Sequence, residues 1–151
     1  MTVPLDSAAS GSAPHYGNPM FECGGAQMRA QCRHLATVVT VSGVIDVTNT
    51  DRVTEYSRRF VLPDKPFVLD LSGVDHLAPQ CIPFLHRVDE DCRAAGVEWA
   101  LVAGIAVTRA LRITDDTMFP VAVSLHEALH HFADDISARR RLLLPLLSKT
   151  A

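Results

Sequence analysis

The sequence predicts an α/β fold in which helices cover a mixed, mainly parallel β-sheet that begins with an N-terminal β-hairpin. Two short apolar runs, residues 67–71 and 99–103, have the length and composition of strands that are buried on both faces. Each run is followed by a segment whose apolar residues recur three or four positions apart, as is typical of amphipathic helices. Alternating strand–helix units of this kind form parallel sheets with right-handed crossovers.

The first ordered elements are predicted to be a hairpin and a short helix. Small or apolar residues alternate with polar ones over residues 26–32, and a β-branched run over residues 37–41 follows after a turn. Apolar residues then recur at helical spacing over residues 53–60. This predicts an amphipathic helix that Thr48 or Thr50 would cap.

The second half of the chain is predicted to contain three more helices and a last strand. A helix over residues 81–95 should end at Gly96, and a short helix is expected around residues 107–111. Residues 119–123 form the last predicted strand, and because this strand contains a proline we expect it at an edge of the sheet. Ser124 is expected to open the final helix.

The chain is expected to hold one domain between two extensions. Its 151 residues suit a single core, and 48% of them are hydrophobic. Residues 1–24 are rich in Ser, Ala, Gly and Pro and are predicted to be a flexible tail, whereas residues 25–137 form the domain. Residues 138–151 join three arginines to a leucine-rich run. We expect this run to pack on the domain, join a homodimer or contact a protein partner rather than a membrane, with Pro145 breaking the helix.

The charge and cysteine patterns exclude several classes of protein. The net charge is −3 and the only basic run is residues 139–141, so we expect no binding to nucleic acid. No apolar run is long enough to span a membrane, and the first residues lack the pattern of a secretion signal. The four cysteines form no C-x-x-C pair and no disulfide framework. We therefore expect a cytoplasmic protein.

An alternative function comes from His126, Glu127 and His130, which spell the motif His-Glu-x-x-His of zinc-dependent hydrolases. Two histidines four positions apart lie on one helix face and can share a zinc ion. On the predicted helix, however, both lie about 100–140° from the centre of the apolar face and therefore point to solvent. Ser124 and Glu127 also match a capping box. We thus expect no metal, no cofactor and no catalytic residue.

The motifs in residues 43–46, 68–74 and 109–129 resemble, in this order, those of STAS domains (sulphate transporter and anti-sigma factor antagonist). Residues 43–46, Gly-Val-Ile-Asp, resemble the Gly-Glu-Leu-Asp that closes the second strand of the family. Residues 68–74, Val-Leu-Asp-Leu-Ser-Gly-Val, resemble its third strand and the following turn. The order and spacing of the family's ending are present in residues 109–114, 118–121 and 124–129. The resemblance implies a non-enzymatic module that regulates transcription by binding a protein.

One segment departs from the family's pattern where the family is regulated. Antagonists of anti-sigma factors typically carry Asp-Ser-Ser-Gly at the start of the second helix, and their partner kinase phosphorylates the second serine. This sequence has Ala78, Pro79, Gln80 and Cys81 at those positions, so the resemblance places Gln80 at the acceptor position. An amide forms no stable phosphate ester. We therefore expect no phosphorylation there, and the switch that adds about −2 charge is absent at this position. The chain then either still binds a kinase-like anti-sigma factor without this switch, or uses the surface as a scaffold for another partner.

The resemblance also implies where a partner would bind. In the family the end of the second strand, the turn after the third and the start of the second helix meet the partner, which is an anti-sigma factor or a related serine-kinase-like protein. We call the corresponding residues here the rim: Asp46, Thr48, Ala78, Pro79, Gln80 and Cys81. From the residues alone, Asp46 is equally well a helix-capping carboxylate, and Cys81 is expected to be a packed, inert thiol.

Overall fold

A computed structural model describes the backbone of residues 20–116 and 118–150. Side chains are described within the same ranges as far as Ala138. A six-stranded sheet forms its centre. The strands are β1 (Phe21–Cys23), β2 (Ala26–Cys32), β3 (Thr37–Ile45), β4 (Phe67–Leu77), β5 (Trp99–Ala103) and β6 (Val121–Ala122). The helices are α1 (Thr50–Arg59), α2 (Pro83–Ala95), α3 (Ile105–Thr114) and α4 (Leu125–Thr150), and a 3₁₀ turn (Pro79–Cys81) precedes α2.

The order of the strands confirms the predicted α/β architecture. The strands lie in the sheet in the order in which they occur in the chain. The pairs β1–β2 and β2–β3 are antiparallel, whereas β3 to β6 run parallel to one another. The predicted hairpin is therefore present, and β6 lies at an edge of the sheet, as the proline in its segment predicted.

The sheet is covered unevenly on its two faces. Helices α1, α2 and α3 pack on one face and bury the larger part of the core, while α4 packs on part of the other face. Residues 67–71 of β4 are all buried, with Leu69 in the larger core and Val68 in the smaller one. This confirms the prediction of a strand that is buried on both faces. Gly96 ends α2 in the left-handed conformation (φ 73°), also as predicted.

The predicted tail over residues 1–24 differs from the structure at its end, and residues 1–19 lie outside the described part. Residues 21–23 form β1, which turns into β2 through Gly24 and Gly25. Both glycines have positive φ, of 51° and 95°, a conformation that glycine adopts without a steric penalty. Burial of Cys23 against the core adds an apolar contact that the composition of the tail did not suggest.

The prediction that Pro145 breaks the last helix is wrong. The backbone of α4 remains helical from Leu125 to Thr150, so the expected extension over residues 138–151 continues this helix. A proline inside a helix removes one hydrogen bond and can kink it without ending it, and the leucines and arginines around Pro145 are strong helix formers. What the leucine side chains of this extension contact lies outside the described part.

Candidate functional site

The two segments of the rim meet at the carboxyl ends of neighbouring strands. Strands β3 and β4 are parallel, and their ladder ends with Ile45 opposite Leu77. The loop after each strand therefore leaves the same edge of the sheet. The Ala78 N–H donates a hydrogen bond to the main-chain oxygen of Ile45 at 3.1 Å and ties the two loops together. The structure thus brings the predicted residues of the rim into one place.

Asp46 and Thr48 form a closed turn in the first of these loops. Oδ1 of Asp46 accepts hydrogen bonds from the Thr48 hydroxyl and from the Thr48 N–H, the latter at 2.9 Å. The Thr48 hydroxyl, and after it the Thr48 N–H, lower the pKa of the Asp46 carboxyl below its ordinary value. Asp46 therefore presents a fixed carboxylate at the surface.

Neither Asp46 nor a threonine is the N-cap of α1. That position belongs to Asn49, although the main-chain oxygen of Asp46 accepts the Thr50 N–H at 2.9 Å. The prediction that Thr48 or Thr50 caps this helix is thus wrong. The Thr48 hydroxyl donates its hydrogen bond to Asp46, and Thr50 is the first residue of the helix itself.

Asn49 organises the loop from below, a role that the sequence did not reveal. Its side chain is 1% exposed. Its Oδ1 accepts the Asp46 N–H at 3.0 Å. Its Nδ2 lies within hydrogen-bond distance of the main-chain oxygens of Val44 (2.8 Å), Gly24 (3.0 Å) and Cys23 (3.2 Å). One buried amide therefore joins the β1–β2 turn, the end of β3 and the start of α1.

The second loop of the rim is short and rigid. Ala78 is extended, and a single 3₁₀ turn over Pro79–Cys81 follows, in which the Cys81 N–H donates to the Ala78 oxygen at 2.8 Å. Gln80 is exposed at the tip of this turn, while Ala78 and Pro79 are half-buried. The side chain at the position that the resemblance assigned to the phosphate acceptor is therefore accessible to a partner.

Cys81 is buried, unlike the other five residues of the rim. The residue is 2% exposed. Burial raises the pKa of the thiol, the negative charge of Asp46 adds to this shift, and a hydrogen bond with Thr50 opposes it. A buried thiol with a raised pKa is a poor nucleophile. These features match the predicted packed, inert cysteine.

A groove of about 320 Å³ runs from the rim between α1 and α2. Cys81 and Phe84 form its apolar part, and Gln80 stands at its upper end. The charged side chains along its walls are those of Asp51, Glu55, Arg58 and Arg87. Arg58 bridges the two helices through an ion pair with Asp91 at 3.2 Å. The groove is thus mixed in charge and braced across its width.

Two exposed apolar residues at this edge of the sheet were missed by the sequence analysis. Val47, between Asp46 and Thr48, is 65% exposed, and Ile105, the first residue of α3, is 80% exposed. Ile105 follows β5, which ends opposite Leu71, six residues before the end of β4, and the helix that it begins contacts the 3₁₀ turn of the rim. An apolar residue inside a polar turn sequence, as at Val47, is the signal that could have found this feature.

The His-Glu-x-x-His motif lies on the exposed side of α4. His126, Glu127 and His130 are all exposed, and the two imidazole rings stack with their centroids 6.3 Å apart. His130 pairs with Asp134 one turn further along the same helix, at 3.5 Å. Within the described residues, no group of three or more His, Cys, Asp and Glu side chains could hold a metal ion. The geometry gives the zinc hydrolase alternative no support.

Glu127 instead has a structural role close to the predicted one. Its N–H donates to Oγ of Ser124 at 3.1 Å, which is half of a capping box. Its Oε1 accepts the N–H of Val123 at 2.8 Å, whereas a standard box would take the N–H of Ser124. The carboxylate thus caps the helix one residue earlier than predicted.

Comparison with known proteins gives consistent matches. The model of the STAS domain matches residues 27–128. Osmosensory protein A of Mycobacterium tuberculosis is 47% identical over 155 residues, which cover 99% of this chain and 98% of that protein. Among solved structures, an anti-sigma factor antagonist from Mycobacterium paratuberculosis has a TM-score of 0.63 and 26% identity over 72% of this chain and 94% of its own.

A second solved structure shows the same fold at low identity. The anti-sigma factor antagonist SpoIIAA in its unphosphorylated form is 7% identical, with a TM-score of 0.58 over 71% of this chain and 96% of its own. As for membranes, no helix in the described part of the chain is both long and apolar enough to cross a bilayer.

Proposed function

Since the chain belongs to the STAS domain family, we propose that it regulates transcription as an antagonist of an anti-sigma factor, by binding that protein at the rim without catalysis. The observation that carries this proposal is the junction at the ends of β3 and β4. There the Ala78 N–H binds the Ile45 oxygen and sets the two loops side by side. Asp46, Thr48 and Gln80 thereby share one accessible edge.

The surface chemistry of the rim supports binding to a protein. Exposed Val47 adds apolar area to the loop that is tied to the turn of the neutral Gln80, and an interface core is typically poor in charge. The turn between Asp46 and Thr48 and the 3₁₀ turn at Pro79 hold the loops in one conformation. Such a surface loses little conformational entropy when it binds.

The partner in this proposal is a kinase-like anti-sigma factor, and the complex is not released by phosphorylation at Gln80. An amide offers no hydroxyl to the γ-phosphate of ATP. Release would then depend on the amount of either protein or on a signal at another site. The relative named osmosensory protein A supports a signal that is linked to osmotic stress.

A charge at the tip of the rim tests the proposal. The tagged full chain and its Gln80→Arg variant are used to capture proteins from the native lysate, before and after osmotic upshift, and captured anti-sigma factors are identified by mass spectrometry. We expect Gln80→Arg to weaken binding of the captured anti-sigma factor more than tenfold, measured by titration with the purified partner. Gln80 is exposed, so the variant should unfold at the same denaturant concentration as the wild type.

Asp64→Arg is the matched control, because Asp64 is exposed in the loop that leads into the amino end of β4, at the opposite edge of the sheet. It should leave affinity within twofold of the wild type. Equal binding by the Gln80→Arg variant would overturn the rim as the binding site. A captured partner that is not an anti-sigma factor, but that loses affinity with Gln80→Arg, would retain the rim and overturn the proposed partner.

A further inference from the structure

Helix α4 is longer than β5, one of the strands on which it packs. Its 26 residues extend over about 39 Å, whereas the five residues of β5 extend over about 17 Å. Its fully buried contacts with the sheet are those of Ala128 and Phe132, and Ile136 is already 37% exposed. Among the described side chains, burial against the sheet thus ends before Ile136, and the helical backbone continues for fourteen more residues.

An apolar groove of about 490 Å³ lies beside the first half of this helix, between α4 and the sheet edge formed by β6. Ala128 and Phe132 line its apolar part from the helix, and Trp99, Pro120 and Val121 line it from the sheet. The lining also includes the polar side chains Glu98, Glu127 and His131. Val121 is 54% exposed although it is a strand residue beside the core. The groove is thus a largely apolar surface with acidic side chains at its lining, next to α4 and with room for a further segment.

The charges along α4 change sign near its middle. Asp134 and Asp135 precede the middle, and residues 139–141 are three arginines. The two carboxylates have 68% and 36% of their side-chain surface exposed, and among the side chains that the structure describes they pair with His130 and His131, at 3.5 and 3.4 Å. An acidic half followed by a basic half is complementary to a second copy of itself when the two helices run in opposite directions.

We propose that the chain forms a symmetric dimer in which the second half of α4 of each copy lies along the groove of the other. The helices run antiparallel and cross at Ala138, a small residue that permits close approach. In this arrangement a residue of one helix lies beside the residue of the other helix for which the two numbers add up to about 276. Asp135 therefore lies beside Arg141 of the second copy. The leucine-rich residues 142–147 become level with residues 129–134, which flank the groove.

This dimer leaves the rim free. The rim lies at the carboxyl ends of the strands, whereas Phe132 of α4 lies near Ala100 at the amino end of β5. The second half of α4 thus continues away from the rim, and each dimer would present two rims. Pairing within one helix, such as Asp135 with Arg139 one turn later, accounts for only part of the charge pattern and produces no dimer.

Charge reversal of the full chain tests the pairing, with sedimentation equilibrium as the measurement. We expect the wild type to sediment with twice the mass of the chain at concentrations above about 10 μM, within the range of moderate dimers. The double variant Asp134→Lys/Asp135→Lys and the double variant Arg140→Glu/Arg141→Glu should each raise the dissociation constant at least tenfold. An equimolar mixture of the two variants should regain the dimer mass, because each then offers the charge that the other lacks.

Disulfide trapping tests the crossing point. In a Cys32→Ser background, which removes the one exposed cysteine of the described residues, Ala138→Cys should form a cross-linked dimer under mild oxidation. His126→Cys on the same helix is the matched control and should not cross-link, because two copies of residue 126 lie far from the axis. A wild type that remains monomeric at about 100 μM, a dimer that neither charge variant weakens, or cross-linking at residue 126 without cross-linking at 138 would each overturn the proposal.

Discussion

The side-chain amide of Asn49 donates to the main-chain oxygen of Val44 at 2.8 Å, and the same nitrogen reaches two more carbonyls in the β1–β2 turn. These carbonyls lie at the β1–β2 turn and near the end of β3, where the first loop of the rim begins. The rim therefore depends on a residue that does not contact solvent. The first loop of the rim is thus held by a buried polar side chain as well as by its own turn between Asp46 and Thr48.

Loss of this amide should destabilise the domain. Asn49→Ala leaves the Asp46 N–H and the Val44 oxygen without their partner in a buried place, and we expect it to lower the free energy of unfolding by about 3 kcal/mol. Urea denaturation followed by circular dichroism measures the loss. Thr48→Ala is the control on the neighbouring exposed residue and should cost much less. Equal losses in the two variants would contradict the central role of Asn49.

An isosteric variant separates hydrogen bonding from packing at the same position. Asn49→Asp keeps the shape of the side chain but turns an acceptor toward the oxygens of Val44 and Gly24. It should destabilise the domain at neutral pH at least as much as alanine does, because a carboxylate cannot donate to these carbonyls. Stability equal to that of the wild type at pH 7 would show that the amide nitrogen is not needed.

The topology was predictable because hydrophobic periodicity reports which faces of each element are buried. Residues 67–71 read as a doubly buried strand, and the structure buries all of them. Polar partners are different. Asn49 bonds to residues five and about 25 positions away, and no local pattern encodes such distances. The capping carboxylate is a similar case. Glu127 accepts the N–H of Val123 and not that of Ser124, and the sequence pattern is the same for either hydrogen bond.

The candidate site was predictable only as a set of positions. The resemblance placed Asp46 and Gln80 at one edge because the family's motifs end there, and the parallel pairing of β3 and β4 brings them together. Val47 and Ile105 could not be found in this way, since exposure depends on how the loops fold and not on residue type. Likewise, α4 is longer than predicted because the strong helix formers around Pro145 outweigh the hydrogen bond that this proline removes.

The burial of the cysteines predicts selective thiol chemistry. Cys23, Cys81 and Cys92 are buried, and Cys32 is exposed. Burial raises the pKa of Cys92 to about 12 and also raises the pKa of Cys23 and Cys81. In the native protein we expect a colourimetric thiol reagent at pH 8 to modify one thiol rapidly, and in denaturant all four. Rapid native labelling that persists in Cys32→Ser would contradict this assignment.

The turn at Asp46 predicts a titration that can be followed directly. Hydrogen bonds from Thr48 lower the pKa of the Asp46 carboxyl, so its charged form is favoured in the folded state. Their contribution to stability is present above the ordinary pKa of 3.8 and is lost as the pH falls through the lower, folded value. Carbon-detected NMR of the Asp46 carboxyl should give a midpoint below 3.8, and Thr48→Val, which removes the hydroxyl, should move it upward. A midpoint at or above 3.8 would contradict the turn.

The residue at the tip of the rim predicts resistance to phosphorylation. Incubation of the chain with a kinase-like anti-sigma factor and ATP should leave the mass of residues 72–82 unchanged in peptide mass spectrometry, because Gln80 has no hydroxyl. Gln80→Ser supplies one at an exposed position and should accept one phosphate if the partner binds as proposed. Thr48→Ser, which keeps a hydroxyl on the other loop, controls for unspecific labelling. Phosphate on the wild-type peptide would show that the chain can still be switched by phosphorylation in this segment.

The start of α4 provides a last prediction, which separates the structural role of Glu127 from a catalytic one. Its carboxylate accepts the Val123 N–H at 2.8 Å, so Glu127→Ala should lower the free energy of unfolding by about 1 kcal/mol. Glu127→Gln keeps an acceptor oxygen and should recover most of this stability, whereas a general base would be lost in both variants.

His126→Ala changes the zinc motif without touching the cap and should leave stability within about 0.5 kcal/mol of the wild type. Because His126 and His130 are exposed and no group of three or more His, Cys, Asp and Glu side chains among the described residues could hold a metal ion, dialysed protein should hold well under one zinc ion per chain. Stoichiometric zinc that is lost with His126→Ala would show instead that the motif binds metal.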